Sequence, residues 1–188
     1  EGEGLFKYAA GGSFKGTFAK GKPVKGIYTD AEGNQFIGAL KNGKLNGAGV
    51  IIYKNGAKYE GTFTESVMHG KGTYVDEFGN QYVGEFKNGK LNGKGKVTFK
   101  NGVIDEGIFA DGILDGPGSR KLSSGDIYTG GFSRGKYSGK GTYRTVKNIQ
   151  YIGEFKDGVF HGKGRLIRPD GSVDKEGTWD KGKFVDQK

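Results

Sequence analysis

The sequence predicts an all-β protein, an elongated single-layer antiparallel meander of tandem β-hairpin repeats. Three observations carry this expectation. Glycine supplies 39 of 188 residues without a Gly-x-y period, which excludes a collagen-like chain. There are also 13 Phe and 10 Tyr, more ring surface than a flexible linker or disordered segment carries. Composition of this kind points to short strands joined by tight turns. Finally, an aromatic-x-Gly triplet recurs at Phe36, Tyr59, Tyr82, Tyr128 and Tyr151, at intervals of 23 residues or twice that. Asp105 fills the one missing aromatic position.

Counted from each leading residue, glycines recur at positions +2, +7, +11, +13 and usually +20. In the repeat led by Tyr82 these are Gly84, Gly89, Gly93, Gly95 and Gly102; in the preceding one Ser66 replaces the +7 glycine. The period organises the chain as one array. A partial repeat (1–13) and an irregular one that is a residue short (14–35) precede six regular repeats: 36–58, 59–81, 82–104, 105–127, 128–150 and 151–174. A terminal partial repeat (175–188) follows a one-residue insertion. Because the array opens in mid-repeat, at Glu1 rather than a methionine, the chain reads as a processed or trimmed piece.

Each repeat reads as two strands. Tyr82-Val83-Gly84-Glu85-Phe86-Lys87 alternates apolar and other residues with a period of two, the signature of a strand. Asn88-Gly89 follows, then a second strand around Lys96–Lys100 closed by Asn101-Gly102. Asn-Gly favours a type I′ turn, in which both central residues have positive φ, and both dipeptides are expected to form one. An isolated hairpin is marginal in water, so the repeats must stack. Tyr59 is then expected beside Tyr82, and Phe63 beside Phe86, as continuous ring ladders. The Gly-x-Gly pairs (Gly70/Gly72, Gly93/Gly95, Gly139/Gly141, Gly162/Gly164) would let the backbone bend or approach the rings closely.

The pattern Y-x-G-x-F-x-x-G-x-x-x-G-x-G, as in Tyr151-Ile152-Gly153-Glu154-Phe155 through Gly158, Gly162 and Gly164, resembles the MORN repeat over essentially the whole chain. Departures are local: Asp105 for the leading Tyr, Val24 and Lys25 in the short repeat, and Pro117 inside Gly116-Pro117-Gly118, where less regular packing is expected. The resemblance implies an interaction or scaffolding array. MORN repeats occur in junctional membrane proteins and phosphatidylinositol-phosphate kinases, have been associated with phospholipid binding, and lie beside kinase and methyltransferase domains. A cytoplasmic place, peripheral to membrane or cytoskeleton, suits that resemblance, although the sequence itself fixes no compartment.

Enzymatic chemistry is not expected. A nucleotide-binding glycine loop needs a strand running into a helix, and no helical period follows any Gly-x-Gly here. His69 and His161 share position +10, four repeats apart, and read as loop residues rather than ligands of one metal ion. Glu60, Glu85, Glu154 and the Asp105/Glu106 pair read as solvated cross-strand partners of lysine on the face opposite the rings. There is no cysteine, hence no thiolate nucleophile or disulfide framework, and Ser123 and Ser124 fall in a polar turn. No cofactor is implied. No apolar run is long enough for a membrane-spanning helix.

Binding is the remaining class. The formal charge is +9, and it is unevenly spread. Residues 82–104 carry five lysines against one glutamate, and 128–150 carry five basic residues and no acid. Between them, residues 105–127 carry two basic and five acidic residues, a step that a continuous nucleic-acid track would not cross. Nucleic acid is therefore the disfavoured partner. Three readings follow. The first is a protein or peptide partner lying along a groove lined by Phe36, Tyr59, Phe63, Tyr82, Phe86, Tyr128, Phe132, Tyr151 and Phe155. The second is an anionic phospholipid surface held by Lys87, Lys90, Lys94, Lys96 and Lys100. The third is a homodimer formed through edge strands near residues 1–10 and 175–185.

Overall fold

The computed structural model describes residues 2–185. They form seventeen strands, all antiparallel wherever paired, and no helix is found among them. The chain divides into two compact units, residues 1–93 and 94–188. The first contains β1 (Gly2–Lys7), β2 (Ser13–Ala19), β3 (Lys22–Thr29), β4 (Gln35–Lys41), β5 (Lys44–Ile52), β6 (Lys58–Thr64), β7 (Val67–Val75) and β8 (Gln81–Lys87). β9 (Lys90–Thr98) carries the division. The second contains β10 (Ile104–Ala110), β11 (Ile113–Lys121), β12 (Ile127–Ser133), β13 (Lys136–Arg144), β14 (Gln150–Lys156), β15 (Val159–Ile167), β16 (Val173–Asp180) and β17 (Lys183–Val185). Within each unit every strand pairs with its neighbours in sequence, which makes each unit a single-layer meander.

Two kinds of connection alternate, and only one is type I′. At the hairpin tips both central residues have positive φ, as in Asn42/Gly43 (51° and 76°) and Asn88/Gly89 (51° and 80°). Ser66 adopts φ 66° in the glycine's place, and its hydroxyl accepts a 2.9 Å hydrogen bond from the Leu45 amide. The repeat-to-repeat turns differ from expectation. At Phe99–Val103 the Gly102 amide donates to Phe99 O (2.9 Å) and the Phe99 amide to Val103 O (2.8 Å), with Gly102 the left-handed residue at φ 87°. That is a three-residue loop with a glycine bulge, not a type I′ turn.

Between the two strands of a regular hairpin the register slips by two residues. Gly61 faces Gly72 while Thr62 faces His69, so Gly70 and Lys71 form a bulge. Gly139/Lys140 and Gly162/Lys163 repeat it. The expected irregularities have definite places. The short repeat has a one-residue bulge at Val24, since Thr17 faces Lys25 and Phe18 faces Pro23. The inserted residue near the C-terminus is Asp174, between the pairs Leu166–Lys175 and Ile167–Val173. Pro117 occupies a bulge position, so β10 and β11 keep the common register despite it.

The ladders are interleaved, which corrects the expected homologous rows. Tyr59 and Tyr82 both face Tyr74, one from each side, so two equivalent rings stand two strands apart, about 10 Å. Tyr59 instead packs edge to face against Phe63 and against Phe86 of the next repeat, both with centroids 5.0 Å away. Tip glycines tie repeats together as well: the Gly89 amide donates to Met68 O (3.0 Å) and the Gly158 amide to Tyr137 O (3.0 Å).

Candidate functional site

The face that carries the leading residues is built around a row of glycines. In the first unit Gly38, Gly49, Gly61, Gly72 and Gly84 are successive cross-strand partners; in the second, Gly118, Gly130, Gly141, Gly153 and Gly164 are. Leading tyrosines lie flat across this row. A Cβ added at Gly72 would meet Tyr59 Oη at 2.3 Å, and one at Gly164 would meet Tyr151 Oη at the same distance. The hydroxyl then reaches the bulge and satisfies a carbonyl the ladder leaves open. Tyr59 donates to Thr62 O (3.2 Å), Tyr128 to Gly131 O (2.8 Å) and Tyr151 to Glu154 O (3.1 Å). Burial pushes the Tyr128 and Tyr151 phenols up to about 12.

Of the nine rings read from the sequence as a groove, seven are core. Tyr59, Phe63, Phe86, Tyr128, Phe132, Tyr151 and Phe155 are at most 4% exposed, and they hold the hairpins together. Phe36 and Tyr82 are half-buried. The sequence reading missed the second-strand rings at positions +9 and +15, namely Tyr74, Tyr137, Tyr143 and Phe160, which are half-buried on the same face. Their signal was register. Phe132 faces Tyr137 and Tyr128 faces Tyr143, so the second strand delivers its rings beside the first strand's. A two-residue bulge shifts that correspondence, and simple alternation does not reveal it.

In the second unit these rings border a hollow of about 410 Å³. Tyr137, Tyr143, Phe155 and Phe160 form most of its wall, with Leu122 and Val159 beside them. Tyr137 stacks on Tyr128 with centroids 3.9 Å apart, and Phe160 on Tyr151 at 3.8 Å, so the wall rests on core rings. Tyr143 donates a 2.8 Å hydrogen bond to the Asp126 carboxylate. Burial first, and then that carboxylate, push its phenol up to about 12. The hollow is apolar and aromatic, with one fixed hydroxyl at its border.

Asp105 has a structural role. It is 3% exposed on the ring face, not the opposite one as expected for the acidic pair, and Arg120 faces it across the strands. Arg120 Nε and Nη2 donate to the two carboxylate oxygens at 2.6 and 2.7 Å, and Nη1 donates to Gly135 O at 3.0 Å. This fork replaces a Tyr–Tyr pair, and the guanidinium covers the Phe132 ring at 5.5 Å. Glu106 is exposed, with Lys96 at 3.9 Å. Glu85 and Glu154 face Lys71 and Lys140, while Glu60 faces Val50 and Thr73 and bonds to Lys58 on its own strand at 2.8 Å.

The five lysines expected to hold an anionic surface lie on several elements of the two units. Lys87 and Lys90 flank the tip Asn88–Gly89 in the first unit, whereas Lys94, Lys96 and Lys100 belong to the second. Lys100 lies in a repeat-to-repeat turn. His161 Nδ1 lies 3.5 Å from Asp180, and among the described residues no group of three or more His, Cys, Asp or Glu is placed to hold a metal.

Tandem antiparallel hairpins, one glycine row and leading rings laid across it define an open repeat array. The MORN-repeat family model matches residues 36–58, 59–77, 82–104, 106–127, 128–148 and 151–173, and the chain belongs to that family. No curated protein sequence matches it. Among solved structures it is similar to the TCP domain of SAS-4 (dCPAP) of Drosophila melanogaster in complex with a proline-rich motif of Ana2 (dSTIL). Identity is 13%, the TM-score is 0.52, and the match covers 94% of this chain and 90% of that one. A TCP10 domain of Danio rerio CPAP in complex with a STIL peptide matches at 13% identity and TM-score 0.33, covering 95% of this chain and all of that one.

Proposed function

We propose that the chain is a non-catalytic interaction module whose ring-bearing face receives an extended, apolar or proline-rich segment of a partner protein. The observation that carries this is the aromatic hollow of Tyr137, Tyr143, Phe155 and Phe160, in which Tyr137 and Phe160 stack on core tyrosines. Aromatic walls suit proline rings, and an extended proline-rich segment loses little conformational freedom on docking. The SAS-4 domain, similar in fold, is in complex with such a motif, which supports the choice of probe. The buried rings of the original nine support this surface from beneath, and Phe36 and Tyr82 would extend an equivalent surface in the first unit.

The test is titration of the labelled protein with a synthetic proline-rich peptide, followed by NMR. Resonances of Leu122, Tyr137, Tyr143 and Phe160 should shift. Leu122→Lys with Val159→Lys should weaken binding at least about tenfold while the fold is kept. Undiminished binding in that double variant would remove the hollow as the site. Two further readings carry their own tests. Anionic phospholipid attachment through Lys87, Lys90, Lys94, Lys96 and Lys100 predicts salt-sensitive sedimentation with phosphatidylserine vesicles. Self-association through the terminal strands draws support from Leu5 and Phe6 of β1, which are 62% and 51% exposed, and predicts a concentration-dependent mass in light scattering.

A further inference from the structure

We infer that Asn42 is a modification site, at which the Asn42-Gly43 dipeptide converts to aspartate and isoaspartate without an enzyme. The chain contains six Asn-Gly dipeptides, at Asn42, Asn46, Asn55, Asn88, Asn92 and Asn101. In such a dipeptide the glycine amide nitrogen can attack the asparagine Cγ, because glycine has no side chain to hinder ring closure. The new C–N bond closes a cyclic imide, the bond from Cγ to the side-chain nitrogen breaks, and ammonia leaves carrying the amide proton. Water then adds to either carbonyl of the ring and opens it to aspartate or isoaspartate. The first step needs a glycine amide that is free to turn toward Cγ.

The fold withholds that freedom at four of the six. In the repeat-to-repeat turns the Asn55 and Asn101 side chains accept 3.1 Å hydrogen bonds from the Ala57 and Val103 amides. The Gly56 and Gly102 amides donate to Tyr53 O and Phe99 O, both at 2.9 Å. Asn46 and Asn92 are half-buried within β5 and β9. Two hairpin tips remain, and they share one heptapeptide: Lys-Asn-Gly-Lys-Leu-Asn-Gly reads at 41–47 and again at 87–93. Both tip asparagines are exposed and have φ 51°. Local sequence and turn geometry therefore do not separate them.

The tie to the preceding repeat does. The Gly89 amide donates to the carbonyl of Met68, which faces Phe63, and the Gly158 amide donates likewise to Tyr137, which faces Phe132. Gly43 follows the short repeat, where the bulge at Val24 leaves Pro23 facing Phe18. Among the described residues the Gly43 amide donates to no backbone carbonyl. Asn42 and Gly43 instead border a hollow with Pro23 and Val24 in its wall. The attacking amide is free there and has room to turn. The aspartate product suits the tip, since Asp111 and Asp157 hold the equivalent left-handed place at φ 49° and 52°. Isoaspartate adds a carbon to the backbone of a two-residue turn, which a type I′ tip does not accommodate.

The experiment incubates the full chain in warm, mildly alkaline buffer and follows each asparagine by peptide mapping with mass spectrometry. Asn42 should convert at least about threefold faster than Asn88, the factor set by one hydrogen bond that must open first. In denaturant, where only the shared heptapeptide surrounds each site, the two rates should become equal. Hydrogen exchange followed by NMR should find the Gly43 amide less protected than the Gly89 amide. Equal rates in the folded chain, conversion led by any other asparagine, or a difference that persists in denaturant overturns the inference. So does equal protection of the two glycine amides.

Discussion

The two units close the same hairpin over different side chains. Opposite Phe63 in the first unit stands Met68, and opposite Leu40 stands Leu45. Opposite Phe132 and Phe155 in the second unit stand Tyr137 and Phe160, which stack on the leading tyrosines. The tips differ in the reverse sense, lysine-rich in the first unit and mixed in the second. Backbone geometry fixes the leading residue, the glycine row and the turn residues. Positions +9, +15 and the closing pair are left open, and there each unit acquires its own surface: an aromatic hollow in one, a cationic edge in the other.

The sharpest break in the comparison is the Asp105–Arg120 pair of the second unit, which takes the place of the first unit's Tyr59–Tyr74. Removing the carboxylate alone, in Asp105→Ala, leaves a partly buried guanidinium without its partner. The expected cost is about 3–5 kcal/mol by denaturant unfolding. Converting both residues to tyrosine should recover most of that loss, because similar-sized apolar or aromatic replacements of a buried ion pair are often neutral or better. If the double variant were as unstable as the single one, the fork would be essential to this repeat and not an alternative filling.

Next in size is the glycine row, which both units share. Gly72→Ala would drive a methyl group into the Tyr59 ring, and Gly141→Ala into Tyr128, whose Oη lies 2.6 Å from the added Cβ. Each should cost about 1–3 kcal/mol as overpacking. Gly47→Ala meets nothing within 4 Å and suffers only from its φ of 80°, so its loss should be the smaller, about 1 kcal/mol. Thermal unfolding of the three variants checks the ranking.

This contrast shows what the sequence made legible. The period, the strand alternation and the type I′ tips follow from local rules at Tyr82–Gly89, and those rules hold. Which face of a ring meets which neighbour depends on the bulge at Gly70-Lys71, and glycine spacing marks its place without giving its size. Burial was illegible for the same reason. Tyr59 as a member of an alternating strand could face solvent or core, and only the ring's collapse over Gly61 and Gly72 decides. Asp105 read as a defect because its partner Arg120 is fifteen residues away, visible only once the two strands are in register.

Alkaline titration probes the next level of effect, since burial raises phenols in both units, Tyr59 and Tyr74 in the first among them. Phenols of Tyr128, Tyr143 and Tyr151, all in the second unit, are pushed up to about 12, chiefly by burial. A phenol whose ionisation is harder in the folded chain contributes stability that is complete below its unfolded value of about 10. That contribution is lost as pH rises from about 10 through about 12. Phenolate absorbance should therefore lag behind free tyrosine over this range, and unfolding should be promoted at its upper end. Tyr128→Phe should lessen the alkaline loss while costing about 1 kcal/mol near neutrality, from the bond to Gly131 O.

The smallest effect concerns the repeat-to-repeat turns. Seven of these turns place glycine at the left-handed position, at Gly11, Gly33, Gly56, Gly79, Gly102, Gly125 and Gly171; Asn148 holds it in the eighth at φ 59°. Asparagine is tolerated in that region, and here its side-chain amide donates to Pro169 O at 3.4 Å. Asn148→Gly exchanges a long hydrogen bond for an easier backbone, and stability should change by less than about 0.5 kcal/mol. The reverse exchange is not equivalent. Gly125→Asn would place a Cβ 2.7 Å from Val146 Cγ1 at φ 92°, and should destabilise the second unit measurably in the same melting assay. Equal melting temperatures for both variants would mean that these turns adapt freely, and that the tips and the glycine row alone set the repeat's geometry.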